Sequence, residues 1–418
     1  MSRLLEVRIE KLAPTGEGIV RNDDGVGFVA GALPGELVAT TQYEVKKRFW
    51  RGRLEAVLEP SPARVDGPHA GCAGCDWAHV APAAARDAKR ALFLETMRRI
   101  GRLDPDLFGE LPIEASPPAY RLRVRFHAAG GRVGYHTPGS HRVVSAASCE
   151  AIEASTRALL PALEEAAAAS GASITEVALL EARDAGRRLV RATAAGAPAA
   201  AARLGESLRR AFDGVTVRTP EGRLQVERGA RTLELPAGGR TFAVSVDTFF
   251  QGNRFLLDRL CEDVAAEARR VPPGSSLDAF GGTGLFAGAL LSAGHRVQSV
   301  EADAGSVADA RRTRAQWPEA ERWEIASAPV ERFLDEDDRR FDVVVVDPPR
   351  AGLGEDLARE LARRAKTRFV YVSCDPATLA RDLAVLTGEG FVLRAARLYD
   401  LFAFTHRVEA IVALERAA

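Results

Sequence analysis

Leu277-Asp278-Ala279-Phe280-Gly281-Gly282-Thr283-Gly284 ends a short apolar run, Gly274–Phe280, in a cluster of glycines. This is how the first strand of an α/β sheet turns into a helix: glycines let the backbone pass close to a ligand, and helix N–H groups face it. Downstream, the β-rich apolar runs His295–Glu301, Phe341–Asp347 and Arg368–Ser373 alternate with helical stretches. From about residue 241 that alternation predicts a doubly wound α/β domain with a mostly parallel sheet. Glu301 follows Gly281 by twenty residues and ends the second strand. A carboxylate there can accept both ribose hydroxyls of an adenosine cofactor, whereas a bare glycine-rich loop is equally explained as a structural turn.

Working outward, the chain has 418 residues with 57 Lys+Arg and 57 Asp+Glu, so its formal net charge is zero. Its length suits two or three domains, and a polyanionic partner must be met by local patches rather than by a global field. A 46% hydrophobic, 27% charged composition excludes a disordered, collagen-like or disulfide-scaffold chain. Arg3, Glu6, Arg8 and Glu10 interrupt the start before the apolar core of a signal peptide can form. No stretch reads as a membrane helix: Leu277–Gly294 carries Asp278 and several glycines. The five cysteines are expected to be reduced thiols, metal ligands or catalytic groups of a cytoplasmic protein, taken to be a monomer.

Residues 1–60 read as a small β-barrel of short alternating runs punctuated by Thr15-Gly16, Asp24-Gly25 and Pro34-Gly35. Within it, Lys46-Lys47-Arg48-Phe49-Trp50-Arg51-Gly52-Arg53 places five basic side chains and two aromatics in eight residues. Phosphate pairing with base stacking is one reading, a charged edge strand the other. Residues 61–240 read as an α+β domain with a cysteine cluster, a helix near Pro82–Ile100, a strand-rich piece from Tyr120 to Val144, and Ala-rich helices. Arg121, Arg123 and Arg125 alternate and so share one strand face, to be used for phosphate contact or merely for solvation.

The candidate chemistry lies at the carboxyl edge of residues 241–418. The loop Asp-x-Phe-x-Gly-x-Gly lacks the dinucleotide fingerprint and resembles that of S-adenosylmethionine-dependent methyltransferases. The fourth strand ends in Asp347-Pro348-Pro349-Arg350, the next in Ser373-Cys374-Asp375-Pro376, and Glu409 stands where the last strand begins. A thiol beside a methyl donor has a clear use. Its addition to carbon 6 of a pyrimidine makes carbon 5 nucleophilic, and a base must then remove the carbon 5 proton. Cys374 is the candidate nucleophile and Glu409 the candidate base; Cys261, on an amphipathic helix, reads as an inert core thiol.

Val372-Ser373-Cys374-Asp375-Pro376-Ala377-Thr378-Leu379-Ala380-Arg381-Asp382-Leu383 closely resembles the signature of the RNA uracil-5-methyltransferases, which carry Asn at the place of Asp375. Phe249-Phe250-Gln251-Gly252-Asn253, Asp347-Pro348-Pro349-Arg350-Ala351-Gly352 and His406-Arg407-Val408-Glu409 resemble three further motifs of that family, in the right order. The resemblance implies a TRAM-like RNA-binding barrel, a central domain and a Rossmann-like methyltransferase domain. It also implies S-adenosylmethionine as cofactor, held by Gln251, Phe280, Gly281, Gly284, Glu301 and Asp347, and RNA (ribosomal or transfer) as substrate. Leu285 and Ala328 stand where family members often have a polar cofactor contact.

Family members also carry a 4Fe–4S cluster on four cysteines; Cys72, Cys75 and Cys149 match three of them and Asp66 stands at the fourth. Zinc with His69 or His79, or no metal at all, are the alternatives. An RNA cytosine-5-methyltransferase and a catalytically silent RNA-binding or assembly factor are the competing functions.

Overall fold

The computed structural model describes residues 3–67, 74–137, 139–184 and 186–417. The first six strands, from Leu4–Arg8 to Phe49–Glu59, form one sheet in the order first, fifth, sixth, fourth, third, second. Val7, Ile9, Val20, Val29, Val38 and Trp50 fill its interior. Trp50 is fully buried, and Gly27 and Gly52 lie against its indole; a Cβ on Gly27 would stand 2.2 Å from the ring. The expectation that Trp50 stacks on bases is therefore corrected: its ring is the core of the barrel. The motif's alternation is responsible, because inward residues of a small barrel must fill it.

The second sheet has seven strands in the spatial order Val143–Ser145, Arg132–His136, Arg123–Ala129, Ser173–Glu181, Arg188–Ala195, Gly214–Arg218, Leu224–Gly229. All neighbours are antiparallel except Arg188–Ala195 with Gly214–Arg218, which the helix Pro198–Leu208 connects as a crossover. That helix and Leu160–Ser170 pack their leucines on one face, against Phe126, Leu179 and Val190.

The third sheet has the spatial order Trp323–Ser327, Arg296–Glu301, Ser275–Ala279, Phe341–Val346, Ala365–Ser373, Glu409–Arg416, Phe391–Tyr399, Ile113–Glu114. Its first five strands are parallel, and Glu409–Arg416 inserts antiparallel beside Ala365–Ser373. The four central parallel runs lie where the apolar pattern put them, with Val343, Val344, Val345 and Val346 all at 0% exposure, as a sheet covered on both faces demands. One face packs on Leu257–Ala268 and Leu285–Ser292. The other packs on Pro376–Gly388, Glu355–Arg364 and, from much earlier in the chain, Pro82–Arg99 through Phe93 and Met97. Together with Ile113–Glu114 at the sheet edge, this ties the segment after the barrel into the last unit. Among the described residues no helix is long and apolar enough to cross a membrane.

Candidate active site

Strand order reverses between Ser275–Ala279 and Phe341–Val346, the switch point at which open α/β sheets bind ligands. After Ala279 the backbone turns through Phe280, Gly282 and Gly284, with φ of 62°, 56° and 95°. Phe280 is a non-glycine in the left-handed region, a strain of the kind concentrated at ligand sites. Gly284 has no alternative: a Cβ there would lie 2.3 Å from the Trp323 ring. Gly282, by contrast, has nothing within 4 Å of the Cβ position, leaving room for a ligand above the loop. Glu301 accepts the Gly282 N–H at 2.9 Å and the Asp303 N–H at 2.7 Å, so it sits against the glycine turn.

Asp278, beneath the loop and 1% exposed, accepts from the Ser299 hydroxyl at 3.0 Å, which in turn accepts the Trp323 indole N–H at 2.9 Å. Burial pushes the Asp278 carboxyl up to about 7, the Ser299 hydrogen bond opposing. This supporting chain escaped sequence reasoning, although an acid leading the glycines was its signal. Leu285 is buried and Ala328 donates its N–H to the Glu301 carbonyl at 3.0 Å, so neither offers a polar side chain to a cofactor.

Across the switch point, Asp347 follows Val346 and accepts from Gln251 Nε2 at 3.0 Å. Val346 pairs with Tyr371, and Ser373 pairs with Ala410, so the next step along these ladders sets Cys374 beside Glu409. Three strand ends thus converge Asp347, Cys374 and Glu409. Glu409 is 1% exposed, and its Oε1 has no hydrogen-bond partner among the described residues. Burial, reinforced by the Asp347 charge, drives its carboxyl well above the ordinary range, with Arg350 opposing. Burial likewise lifts Asp347 to about 7, Gln251 opposing. The Cys374 thiol is pushed up to about 11, by burial first and then by the negative charges of Glu409 and Asp347, while Arg350 pulls it down through its charge and a hydrogen bond. Burial thus disfavours the charged forms of Glu409, Asp347 and the half-buried Cys374, and the nearby Arg350 charge opposes it at Glu409 and Cys374.

Asp375, where the family has Asn, caps the helix Pro376–Gly388 by accepting from Ala377 N and Thr378 N at 2.9 and 3.1 Å. Both residue types make this cap, so the departure costs nothing structurally. Asn253 holds the Gln251 segment to the loop before Glu409, donating to the Leu401 carbonyl at 3.1 Å while accepting from Phe255 N at 3.0 Å. Buried Lys89 pairs with Asp400 on the same loop.

Residues 329–417 match the family model described as tRNA (Uracil-5-)-methyltransferase. An uncharacterized RNA methyltransferase of Streptomyces avermitilis is 32% identical over 441 residues, covering 100% of this chain and 99% of that protein. A 23S rRNA (uracil(1939)-C(5))-methyltransferase RlmD of Dechloromonas aromatica is 32% identical over 429 residues, covering 98% and 99%. The chain belongs to the RNA uracil-5-methyltransferase family. Its fold agrees: the crystal structure of a Pyrococcus abyssi tRNA (uracil-54, C5)-methyltransferase with S-adenosyl-L-homocysteine superposes with a TM-score of 0.79 at 22% identity, covering 98% of this chain and 99% of that one.

Of the cysteines expected to bind metal in this family, Cys72 lies outside the described residues, as does His69. Cys75 and Cys149 are both buried and share a thiol–thiol hydrogen bond, which holds Cys149 down at about 6 against the opposing effect of burial. The two thiols are thus neighbours. Asp66 is exposed, and the described residues contain no group of three His, Cys, Asp or Glu placed to hold a metal. Burial pushes His79 down to about 4. The cysteine loop reaches the catalytic loop directly: Asp76 binds the His406 ring and accepts its N–H at 3.3 Å, and Trp77 Nε1 donates to the Gly16 carbonyl of the barrel at 2.9 Å.

The basic candidates divide. Lys46, Lys47, Arg48 and Arg53 are exposed on and beside the hairpin that ends the barrel, with Tyr43 also exposed there. Arg51 is half-buried, paired with Glu17 and 5.4 Å above the Phe28 ring. Arg121, Arg123 and Arg125 do not form one exposed row: Arg121 is half-buried 5.8 Å over the Tyr120 ring and Arg123 donates to the Val246 carbonyl at 3.0 Å. Only Arg125 of the three is exposed.

Proposed function

We propose that this RNA uracil-5-methyltransferase forms 5-methyluridine in ribosomal RNA, with Cys374 as nucleophile and Glu409 as base. The observation that carries the reading is the meeting of Cys374, Glu409 and Asp347 at three neighbouring strand ends, next to the glycine turn. S-adenosylmethionine supplies the electrophilic methyl group when bound; Phe280, Gly281, Gly284, Glu301, Gln251 and Asp347 are the residues assigned to hold it.

The half-exposed Cys374 thiol gives its proton to solvent and its sulfur bonds to carbon 6 of the uracil, moving the ring's electron pair to carbon 5, which receives the methyl group. Arg350 supports the thiolate that burial disfavours. The Glu409 carboxylate then takes the carbon 5 proton, the carbon 5–carbon 6 double bond re-forms and the Cys374 thiolate leaves. A buried carboxylate with an unpartnered oxygen is a strong acceptor for that proton. Asp347, held by Gln251, adjoins both groups.

Ribosomal RNA is favoured over transfer RNA because two relatives at 32% identity over almost the whole chain are named for 23S rRNA, whereas the solved structure named for tRNA is 22% identical. A cytoplasmic location follows from such a substrate. We further propose a 4Fe–4S cluster on Cys72, Cys75 and Cys149, supported by the meeting of the latter two, with solvent rather than exposed Asp66 at the fourth iron. Tritiated methyl donor with unmodified 23S rRNA and tRNA transcripts, followed by nucleoside analysis, tests the function. Label in 5-methyluridine of the ribosomal transcript is expected. Label in 5-methylcytidine, or none, overturns it.

A further inference from the structure

The free face of the seven-stranded sheet is divided. Leu122, Leu180 and Leu189 pack into the core of the C-terminal unit. The outer half carries polar residues in lateral register, His127 opposite Glu176, Glu176 opposite Thr193 and Thr193 opposite Arg218. Two features here take no part in the reacting site. His127 and His136, from adjacent strands, stack face to face with ring centroids 3.7 Å apart and planes 10° from parallel, and exposed His141 stands edge-on to His136 at 5.3 Å. Beside them lies a cavity of about 310 Å³ lined by Thr175, Glu176, Arg191, Thr193 and Arg218 among others, its one carboxylate held by Arg191.

Stacked imidazoles turn their faces, not their lone pairs, toward one another, so this is not a chelating arrangement, and no described histidine group is placed to hold a metal. The charge of the surface points to a polyanion. Glu176 is held by Arg191 and Arg125, and Asp247 by Arg191 at 3.3 Å and Arg218 at 3.1 Å. Arg132, which alternates onto the face of His136 along the same strand, is exposed and has no ion pair among the described residues. Arg125, Arg132, Arg191 and Arg218 thus outnumber Glu176 and Asp247, while Glu227, beyond Thr216 on the same face, is paired with Arg231. The surface also continues toward the reacting edge: Asp247 lies four residues before Gln251, which holds Asp347.

We propose that this outer half-face docks a single-stranded stretch of the RNA substrate, one base stacking on the His127–His136 ring pair and adjacent phosphates entering the Arg191–Arg218 cavity. The inference rests on the RNA-methyltransferase reading and deepens it. Aromatic faces bind unpaired bases with little regard to sequence, while bases inside a duplex cannot reach them.

The test measures binding of a fluorescent oligouridine of about twelve nucleotides, and of a duplex of the same length, to the full chain. Paired His127→Ala and His136→Ala substitutions should weaken single-strand binding about tenfold and leave duplex binding unchanged. His127→Phe with His136→Phe should restore it, because the ring faces return. With 23S rRNA transcript, the Ala pair should raise KM and leave kcat and S-adenosylhomocysteine affinity as in the wild type. Equal oligouridine affinity for wild type and Ala pair, or equal losses for single strand and duplex, overturns the platform. Wild type that labels no RNA overturns the underlying function instead.

Discussion

Glu409→Gln separates the electrostatic cost of the proposed base from its chemistry. Glu409 is buried, borders Asp347 and has an oxygen without a partner, so its carboxyl is raised well above the ordinary range in the folded chain. A raised folded value means that the protonated carboxyl is tolerated in the fold. Its contribution is whole below the unfolded value of about 4.3 and declines as pH climbs toward the folded value. The decline is on the order of 1 kcal/mol per pH unit within that window. Gln has no proton to lose, so its penalty for an imperfectly paired buried amide is a constant offset and does not bend with pH. Urea unfolding of wild type and variant at pH 5, 6 and 7 should therefore show the variant gaining relative stability at each step. Parallel stabilities across that range would refute the reasoning, because they would mean that Glu409 is ionised in the fold at pH 5.

Other consequences follow from the same geometry. Cys374→Ala should abolish methylation while leaving S-adenosylhomocysteine affinity within about twofold by calorimetry, since the thiol is not among the groups around the glycine turn (a difference of less than ~0.5 kcal/mol). Asp347→Asn should lower the Cys374 thiol from about 11, because a like charge is removed; peptide-resolved alkylation against pH reads this, and an unchanged inflection contradicts it. Gly284→Ala should strongly reduce cofactor affinity and stability, as φ is 95° and the new methyl meets Trp323. Anaerobically purified protein should be brown and lose its colour in Cys75→Ser; colourless protein with one zinc or no metal refutes the cluster.

The carboxyl-edge residues were legible in sequence because strand ends are local signals. Asp347, Cys374 and Glu409 each terminate or begin an apolar run, and a doubly wound sheet brings such ends to one edge. What stayed hidden depends on partners far along the chain. His406 and Asp76 are 330 residues apart, Lys89 and Asp400 are 311 apart, and neither pairing leaves a local pattern. Trp50 misled because a basic-aromatic run looks alike whether its ring points outward or fills a barrel. Gly52, two residues on in the same strand, and above all Gly27, paired with Trp50 from another strand, distinguish the cases, and the second pairing is tertiary information. The alternation holds for Arg123 and Arg125, but Arg121 precedes their strand and lies over the Tyr120 ring, and nothing local reveals that the inner part of the arginine face lies against the next unit.

Covalent catalysis by Cys374 is the central claim, and intact-mass analysis with 5-fluorouridine-substituted 23S rRNA fragments tests it most directly. Fluorine at carbon 5 leaves addition and methyl transfer possible but gives Glu409 no proton to remove. Wild type with S-adenosylmethionine should form an adduct whose mass equals protein plus RNA plus one CH2 (a methyl gained, the thiol proton lost), mapped to the Cys374 peptide, and Cys374→Ala should form none. Adduct-free wild type together with a Cys374→Ala variant that still methylates ordinary RNA would contradict the account.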